Sequence, residues 1–340
     1  MSNPPAARKL LLPLVPLYRL ALAARELRLR FGLEPVRRLR YPVISIGNLS
    51  TGGSGKTPLT IALAKALAQR GFEVDVLSRG YGRKSSLPAR VRPDGTADEF
   101  GDEPLLIARE TGLPVYVARQ RFDAGQLAEG ESGPFQNERR TKAHLLDDGF
   151  QHRQLHRDAN ILLLDRRDWH DRLLPAGNLR EPLSSIRRAT ILAIPADDPA
   201  LAVAVKSWGW QGPVWRLRRT MEVPEVAGPI VAFCGIARPG QFFSGLETAG
   251  LQLAAHFAFP DHHRYTSADL KRLGASAHQA GAAGIVTTEK DLVRLGQLPS
   301  ALPAWLPLQT ARLRFDIEDE EAAIDSLLAQ LPVVPAHPPL

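Results

Sequence analysis

A lysine and a threonine set behind a run of glycines are the first residues in this chain whose types and spacing could do chemistry. In Ser50-Thr51-Gly52-Gly53-Ser54-Gly55-Lys56-Thr57, the glycines let backbone N–H groups turn towards phosphate oxygens. Lys56 would reach the β- and γ-phosphates of a nucleotide, and the Thr57 hydroxyl would ligate Mg²⁺. The strict pattern G-x-x-x-x-G-K-[ST] is broken at one place, where Ser50 replaces its first glycine. Further on, His144-Leu145-Leu146-Asp147-Asp148 delivers paired carboxylates. Asp-Asp-Gly alone is an ordinary turn. Behind a phosphate cradle, an Asp at the end of an apolar strand is what holds Mg²⁺.

These groups act only if regular elements aim them. Val43-Ile44-Ser45-Ile46 reads as a buried strand, and Leu59, Leu63, Ala66 and Leu67 mark a helix from Thr57 to a stop at Gly71. The helix N-terminus adds roughly half a positive charge to the cradle. Further strands are predicted at Glu73–Ser78, Val115–Val117, Ile161–Asp165 and Thr190–Ile194. Asp102 is expected to N-cap a helix from Pro104 to Glu110 that Gly112 stops. Residues 85–99 read as loop, 123–142 as a hydrophilic surface insertion, and 195–229, rich in Pro, Trp and Gly, as a domain junction. Strands at Ile230–Phe233, near Leu253 and at Gly284–Thr287 follow. Helices are expected over Gln241–Ala249, from the capping box Thr266/Asp269, and over Glu318–Leu331. The alternation predicts an α/β fold: a P-loop NTPase-type, mostly parallel sheet with a second, smaller α/β domain. The expected segments are 1–40, 41–210, 211–331 and a tail at 332–340.

Charge is informative when it is located. The formal net charge is +7, and residues 1–40 hold nine Lys or Arg against two Glu. The other 300 residues carry 34 charges of each sign, so no basic groove for nucleic acid is expected on the body. The longest charge-free run near the start, Leu10 to Tyr18, is too short for a membrane span, which needs about twenty residues. Leu17, Leu20, Ala21, Ala24 and Leu27 share one helical face, with Arg19, Arg25, Arg28 and Arg30 on the others. This basic amphipathic helix suits either an anionic membrane surface or its own domain. It contains none of the cradle residues or candidate site carboxylates, so its removal is expected to spare the chemistry. A lone Cys234 excludes a disulfide frame and fits a reducing cytoplasm.

Taken together, IGNLSTGGSGKTP (46–58), SRGYGR (78–83), GDEP (101–104), LLDDGFQHRQLHRD (145–158), LLPAGNLREPLS (173–184), FCGIARPGQFF (233–243), FPDHHRYT (259–266) and TTEKD (287–291) resemble the tetraacyldisaccharide 4′-kinase family of Gram-negative bacteria. Ser50 fits that family's variant of the loop. The resemblance implies phosphorylation by ATP of the 4′-hydroxyl of a tetraacylated glucosamine disaccharide 1-phosphate, at the cytoplasmic face of the inner membrane. It gives Asp102 the role of catalytic base, with Lys56, Asp148 and His262 beside it; which of His262 and His263 acts is left open, although the match lifts His262 above an ordinary solvated loop histidine. Lys56 is expected to keep Asp102 ionised when ATP is absent, and a histidine from the second domain either to polarise an Asp of the pair or to touch the γ-phosphate. Thr57, Asp147 or alternatively Asp148, and Glu103 are the expected Mg²⁺ ligands. Tyr81, Arg119, Asn178 and Arg180 are candidates for the acceptor's sugar and 1-phosphate.

A partitioning-type P-loop ATPase switch is the rival reading. Such switches carry a second lysine where this chain has Thr51, and they lack a PDHH loop. A nucleotide-binding adaptor would need neither Asp102 nor His262.

Overall fold

The computed structural model describes residues 8, 10–53, 55–131 and 141–332. In chain order the elements are α1 (Val15–Arg30), β1 (Val43–Asn48), α2 (Lys56–Gln69), β2 (Glu73–Ser78), β3 (Ala89–Arg90), α3 (Ala97–Phe100), α4 (Asp102–Thr111), β4 (Val115–Val117), α5 (Arg121–Glu131), β5 (Lys142–Asp147), β6 (Ala159–Leu163) and α6 (Arg166–His170). There follow β7 (Ile191–Pro195), α7 (Pro199–Ser207), β8 (Val214–Glu222), β9 (Ile230–Cys234), α8 (Pro239–Thr248), β10 (Leu253–Ala258), α9 (Ser267–Gln279), β11 (Gly284–Thr288), α10 (Glu289–Leu295), β12 (Leu308–Ile317) and α11 (Glu320–Leu328).

The strands form one twelve-stranded sheet in the order β10-β9-β11-β12-β8-β7-β6-β1-β5-β2-β4-β3. Neighbours are parallel except at β12–β8 and β3–β4. Strands β1 and β7 are mostly apolar and closed off from water on both faces, as a parallel sheet requires, and β5 is buried throughout although it carries Lys142, His144 and Asp147. The chain order reverses around β1, which lies between β5 and β6. A ligand crevice in an open α/β sheet sits outside the strand ends at such a point. The β1–β5 register sets Ile46 beside Asp147, so cradle and carboxylates leave the sheet side by side.

Several predicted loops are ordered. Residues 97–100 form α3, and the N-terminal part of the expected insertion is α5. The expected junction contains α7 and the nine-residue β8. β12 was not foreseen at all: its first half pairs parallel with β11 and its second half antiparallel with β8, which joins the C-terminal strands to the rest of the sheet. Asp102 is the first residue of α4, and Gly101, at φ +90°, is the N-cap. The predicted stop at Gly112 and the Thr266/Asp269 box are both present.

Helix α1 packs Val15, Tyr18 and Leu22 against the apolar layer that contains Phe150, Leu179 and Ile186. Its Leu17 and Leu20 point outward, each 66% exposed. The reading of this helix as packed on its own domain therefore holds for its inner side, while its outer side is exposed. No helix among the described residues is long and apolar enough to cross a membrane.

Candidate active site

The cradle is anchored from behind. At the end of β1 the Asn48 amide donates to the Ser50 carbonyl at 2.9 Å and to the Ser50 hydroxyl at 3.2 Å. The Ser50 hydroxyl bonds in turn to the buried carboxyl of Asp168 on α6. A serine at this position therefore ties the loop to two elements instead of facing a ligand. The Thr51 amide donates to the Asn178 carbonyl at 2.8 Å. Gly52 and Gly55 hold φ values of +81° and +87°, where an L side chain is strained. A Cβ on Gly55 would also stand 2.2 Å from a ring carbon of Phe315 on β12. Gly55 caps α2, which opens with Lys56 and the buried Thr57. Ser54 lies outside the described residues.

The paired carboxylates differ in their surroundings. Asp148, at φ +48°, accepts from both terminal nitrogens of Arg180 at 3.0 and 3.1 Å and lies 3.7 Å from Lys56 Nζ. Burial would raise its proton affinity, but Lys56 and Arg180 outweigh that and hold it well below the carboxylate range. Asp147 is fully enclosed and, among the described residues, accepts only from the Thr60 hydroxyl, at 3.1 Å. Burial, then the negative charges of Glu103 and Asp148, push it up to about 7. Its Oδ2 is buried without a hydrogen-bond partner. Among the described residues no three His, Cys, Asp or Glu side chains gather as a ready metal cage. A hydroxyl and one or two carboxylates with phosphate oxygens completing the shell are what Mg²⁺ accepts, and Thr57, Asp147 and Glu103 fit that demand.

Facing the cradle is a second constellation. Asp102 is buried at the start of α4. Its Oδ2 lies 3.2 Å from His262 Nδ1 and 2.7 Å from Arg294 Nε, and its Oδ1 accepts from the Glu103 amide at 3.0 Å. Burial opposes ionisation, but the His262 hydrogen bond and the charges of Arg294 and Lys290 prevail and keep Asp102 a carboxylate. The hydrogen bond to Asp102 raises the affinity of His262 for its proton. This corrects two expectations. Lys56 pairs with Asp148 and not Asp102, and His262 meets Asp102 and not an Asp of the pair. His263 bonds to Asp269 and stacks on Phe259, which leaves it a structural residue. Glu103 forms an ion pair with Lys290.

One cleft of about 790 Å³ has walls that include Lys56, Asp148, Glu103, His262, Tyr81 and Arg119; Asp102 itself is not among its lining residues and meets it through His262 and Glu103. Tyr81 packs its ring 5.1 Å from that of His262. Asn178 is absent from these walls. It holds Thr51 through its carbonyl, and its side chain bonds to Asp171 and Arg8. Arg180 lines the cleft while bound to Asp148 and Asn48. Sequence reading passed over Arg79 and Arg121, which line the same cleft. Arg121 is buried, its Nε has no hydrogen-bond partner, and burial lowers its affinity for its proton to about 10. A cation this poorly solvated is a ready counter-charge for a phosphate. The N-terminal helix also reaches the site, contrary to expectation. Arg25 lines the cleft and donates to the Gln151 carbonyl at 2.6 Å, and the Tyr18 hydroxyl donates to the Arg180 carbonyl at 2.9 Å.

A sequence model described as tetraacyldisaccharide-1-P 4′-kinase matches residues 7–332. The tetraacyldisaccharide 4′-kinase of Koribacter versatilis is 41% identical over 327 residues, covering 93% of this chain and 97% of its own. That of Geobacter metallireducens is 37% identical over 339 residues, covering 92% and 95%. The crystal structure of Aquifex aeolicus LpxK in complex with ATP superposes with a TM-score of 0.73 at 33% identity, covering 96% of this chain and all of that one. The same α/β architecture thus accompanies the sequence match. The chain belongs to the tetraacyldisaccharide-1-P 4′-kinase family.

Proposed function

We propose that this chain transfers the γ-phosphoryl group of ATP to the 4′-hydroxyl of an acylated glucosamine disaccharide 1-phosphate. The observation that carries the reading is one cleft lined by the Lys56 phosphate cradle and by Glu103 and His262, the chain neighbour and hydrogen-bond partner of a buried, ionised Asp102 that can take a hydroxyl proton. In the transfer, the acceptor oxygen forms a bond to the γ-phosphorus, the bond from that phosphorus to the leaving ADP oxygen breaks, and the acceptor proton passes to Asp102. Lys56 and the glycine amides stabilise the charge on the transferring group. Thr57, Asp147 and Glu103 would hold Mg²⁺, which neutralises the phosphate oxygens when bound. His262, hydrogen-bonded to Asp102, stabilises the form of the pair that has taken up the proton. Asp148 keeps Lys56 in place until nucleotide arrives. Arg79, Arg119 and Arg121, with Tyr81 at the rim, supply the cations and ring that an anionic sugar needs.

The outward Leu17 and Leu20 of α1, flanked by arginines, suit the anionic surface of the inner membrane on its cytoplasmic side, where the acyl chains of such an acceptor remain. Incubation with γ-labelled ATP, with and without the acylated disaccharide 1-phosphate, tests the reading. Label is expected in the lipid fraction, and only with acceptor present. Release of inorganic phosphate with no labelled lipid would instead favour an ATPase switch.

A further inference from the structure

The TTEKD motif has no part in the mechanism above, yet the strand and helix that carry it, β11 and α10, close the cleft opposite the cradle. Each of its charged residues has a distinct partner. Glu289 bonds to Arg314, Lys290 to Glu103, and Asp291, wholly buried, to the side chain of Arg294 at 3.0 Å. Asp291 Oδ1 also accepts from the Gly235 amide at 3.1 Å and the Tyr265 hydroxyl at 2.9 Å. Arg294 is thereby seated on a fixed anion. The Arg294 side chain is only 6% exposed, and it reaches Asp102 Oδ2 through Nε at 2.7 Å and Nη2 at 2.5 Å. Its Nη1 donates to the Gly235 carbonyl, the same carbonyl that accepts from the His262 amide at 3.2 Å.

We infer that Arg294, seated on Asp291, is a positioning residue for phosphoryl transfer, fixing both the Asp102 carboxylate and the backbone that carries His262. The inference rests on the assignment of Asp102 as base. The geometry gives it content beyond charge pairing. With two guanidinium N–H groups and His262 gathered on Oδ2, the oxygen left facing a single donor is Oδ1. Arg294 therefore selects which oxygen takes the acceptor proton. Arg294 makes four contacts from three nitrogens held in one plane, Nε and Nη2 to Asp102 and Nη1 to Asp291 and the Gly235 carbonyl, whereas an ammonium has three N–H groups on a single nitrogen.

The test compares Arg294→Gln, Arg294→Lys, Asp102→Ala and the double variant Arg294→Gln/Asp102→Ala, in the full-length protein with ATP and the acylated disaccharide 1-phosphate. Arg294→Gln is expected to lower kcat by about a hundredfold, the lower range for losing a well-placed general base, with KM for ATP within about threefold. Arg294→Lys should recover only part of that loss. The double variant should be no slower than Asp102→Ala alone, because residues acting through one group are not additive. Removing Arg294 strands a buried Asp291, so Arg294→Gln/Asp291→Asn is measured as well. Asn keeps the Oδ1 acceptor for Gly235 and Tyr265, and this variant is expected to melt near the parent while staying slow. A folded Arg294 variant with parental kcat, beside an inactive Asp102→Ala, would overturn the positioning role alone. Losses that multiply in the double variant would do the same. Parental turnover by Asp102→Ala would instead remove the base assignment, and this inference with it.

Discussion

Gly55→Ala isolates how the cradle depends on an element that arrives 260 residues later. Two costs act at this position. At φ +87° an alanine sits in the left-handed region, which costs roughly 1–2 kcal/mol. Its Cβ would also stand 2.2 Å and 2.5 Å from two ring carbons of Phe315, and forcing an extra carbon into packed surroundings costs about 1–3 kcal/mol. The sum is about 2–5 kcal/mol, and it falls either on the fold or on the loop's shape. It should appear as a lowered melting temperature if the loop holds, or as a raised KM for ATP if the loop yields. Phe315→Leu separates the two costs, because it removes both clashing carbons and leaves the backbone angle as it was. The double variant Gly55→Ala/Phe315→Leu should regain the steric part and keep the remainder. Calorimetry with ATP titration on all four proteins reads this directly. A Gly55→Ala protein that melts and binds ATP like the parent would refute the reasoning. So would a double variant that recovers nothing.

Three shorter expectations follow. Lys56→Ala should leave the fold intact and reduce turnover by hundreds-fold, the cost of about 3–4 kcal/mol for removing one strong electrostatic stabiliser; near-parental kcat at saturating ATP would refute it. Deleting residues 1–30 should lower kcat even on a short-chain, water-soluble acceptor, because the Tyr18 and Arg25 bonds to the Arg180 and Gln151 backbone are lost with it; unchanged kcat would leave α1 a docking element only. His144, buried 3.4 Å from Asp75 and 3.3 Å from Glu129, has its proton affinity lowered by burial but raised further by those two carboxylates, so it titrates above 6.5. Its contribution to stability is complete below 6.5 and is lost as pH rises through the higher folded value, so the melting gap between parent and His144→Gln should narrow with rising pH. A gap that widens over that range would reverse the assignment.

What could be read in the sequence is what sequence neighbours decide. The strand before the cradle, the glycines, Lys56 and the carboxylates after β5 are contiguous, and each follows from local sterics and apolar runs. β12 and β8 are not legible in the sequence because their arginines break any apolar alternation. Arg312 and Arg314 pair with Glu289, and Arg218 with Glu318, so these strands are held by charge as well as by core. The Asp102 constellation was hidden for a different reason: His262 and Arg294 lie 160 and 192 residues from it in the chain. Lys56 was the nearer cation in sequence and was matched to the wrong carboxylate.

The corrected pairing has its own logic. Asp148 is held by Lys56 and Arg180, Asp102 by Arg294 and His262, and Glu103 by Lys290. Among the described residues Asp147 alone of the four has no such cation and keeps only the Thr60 hydroxyl. It is also the one pushed up to about 7. Three carboxylates are thus held by side chains of the protein, while the fourth keeps a buried, unpartnered oxygen beside the cradle. In a site built for a nucleotide that brings its own cation, that is the group such a cation would complete.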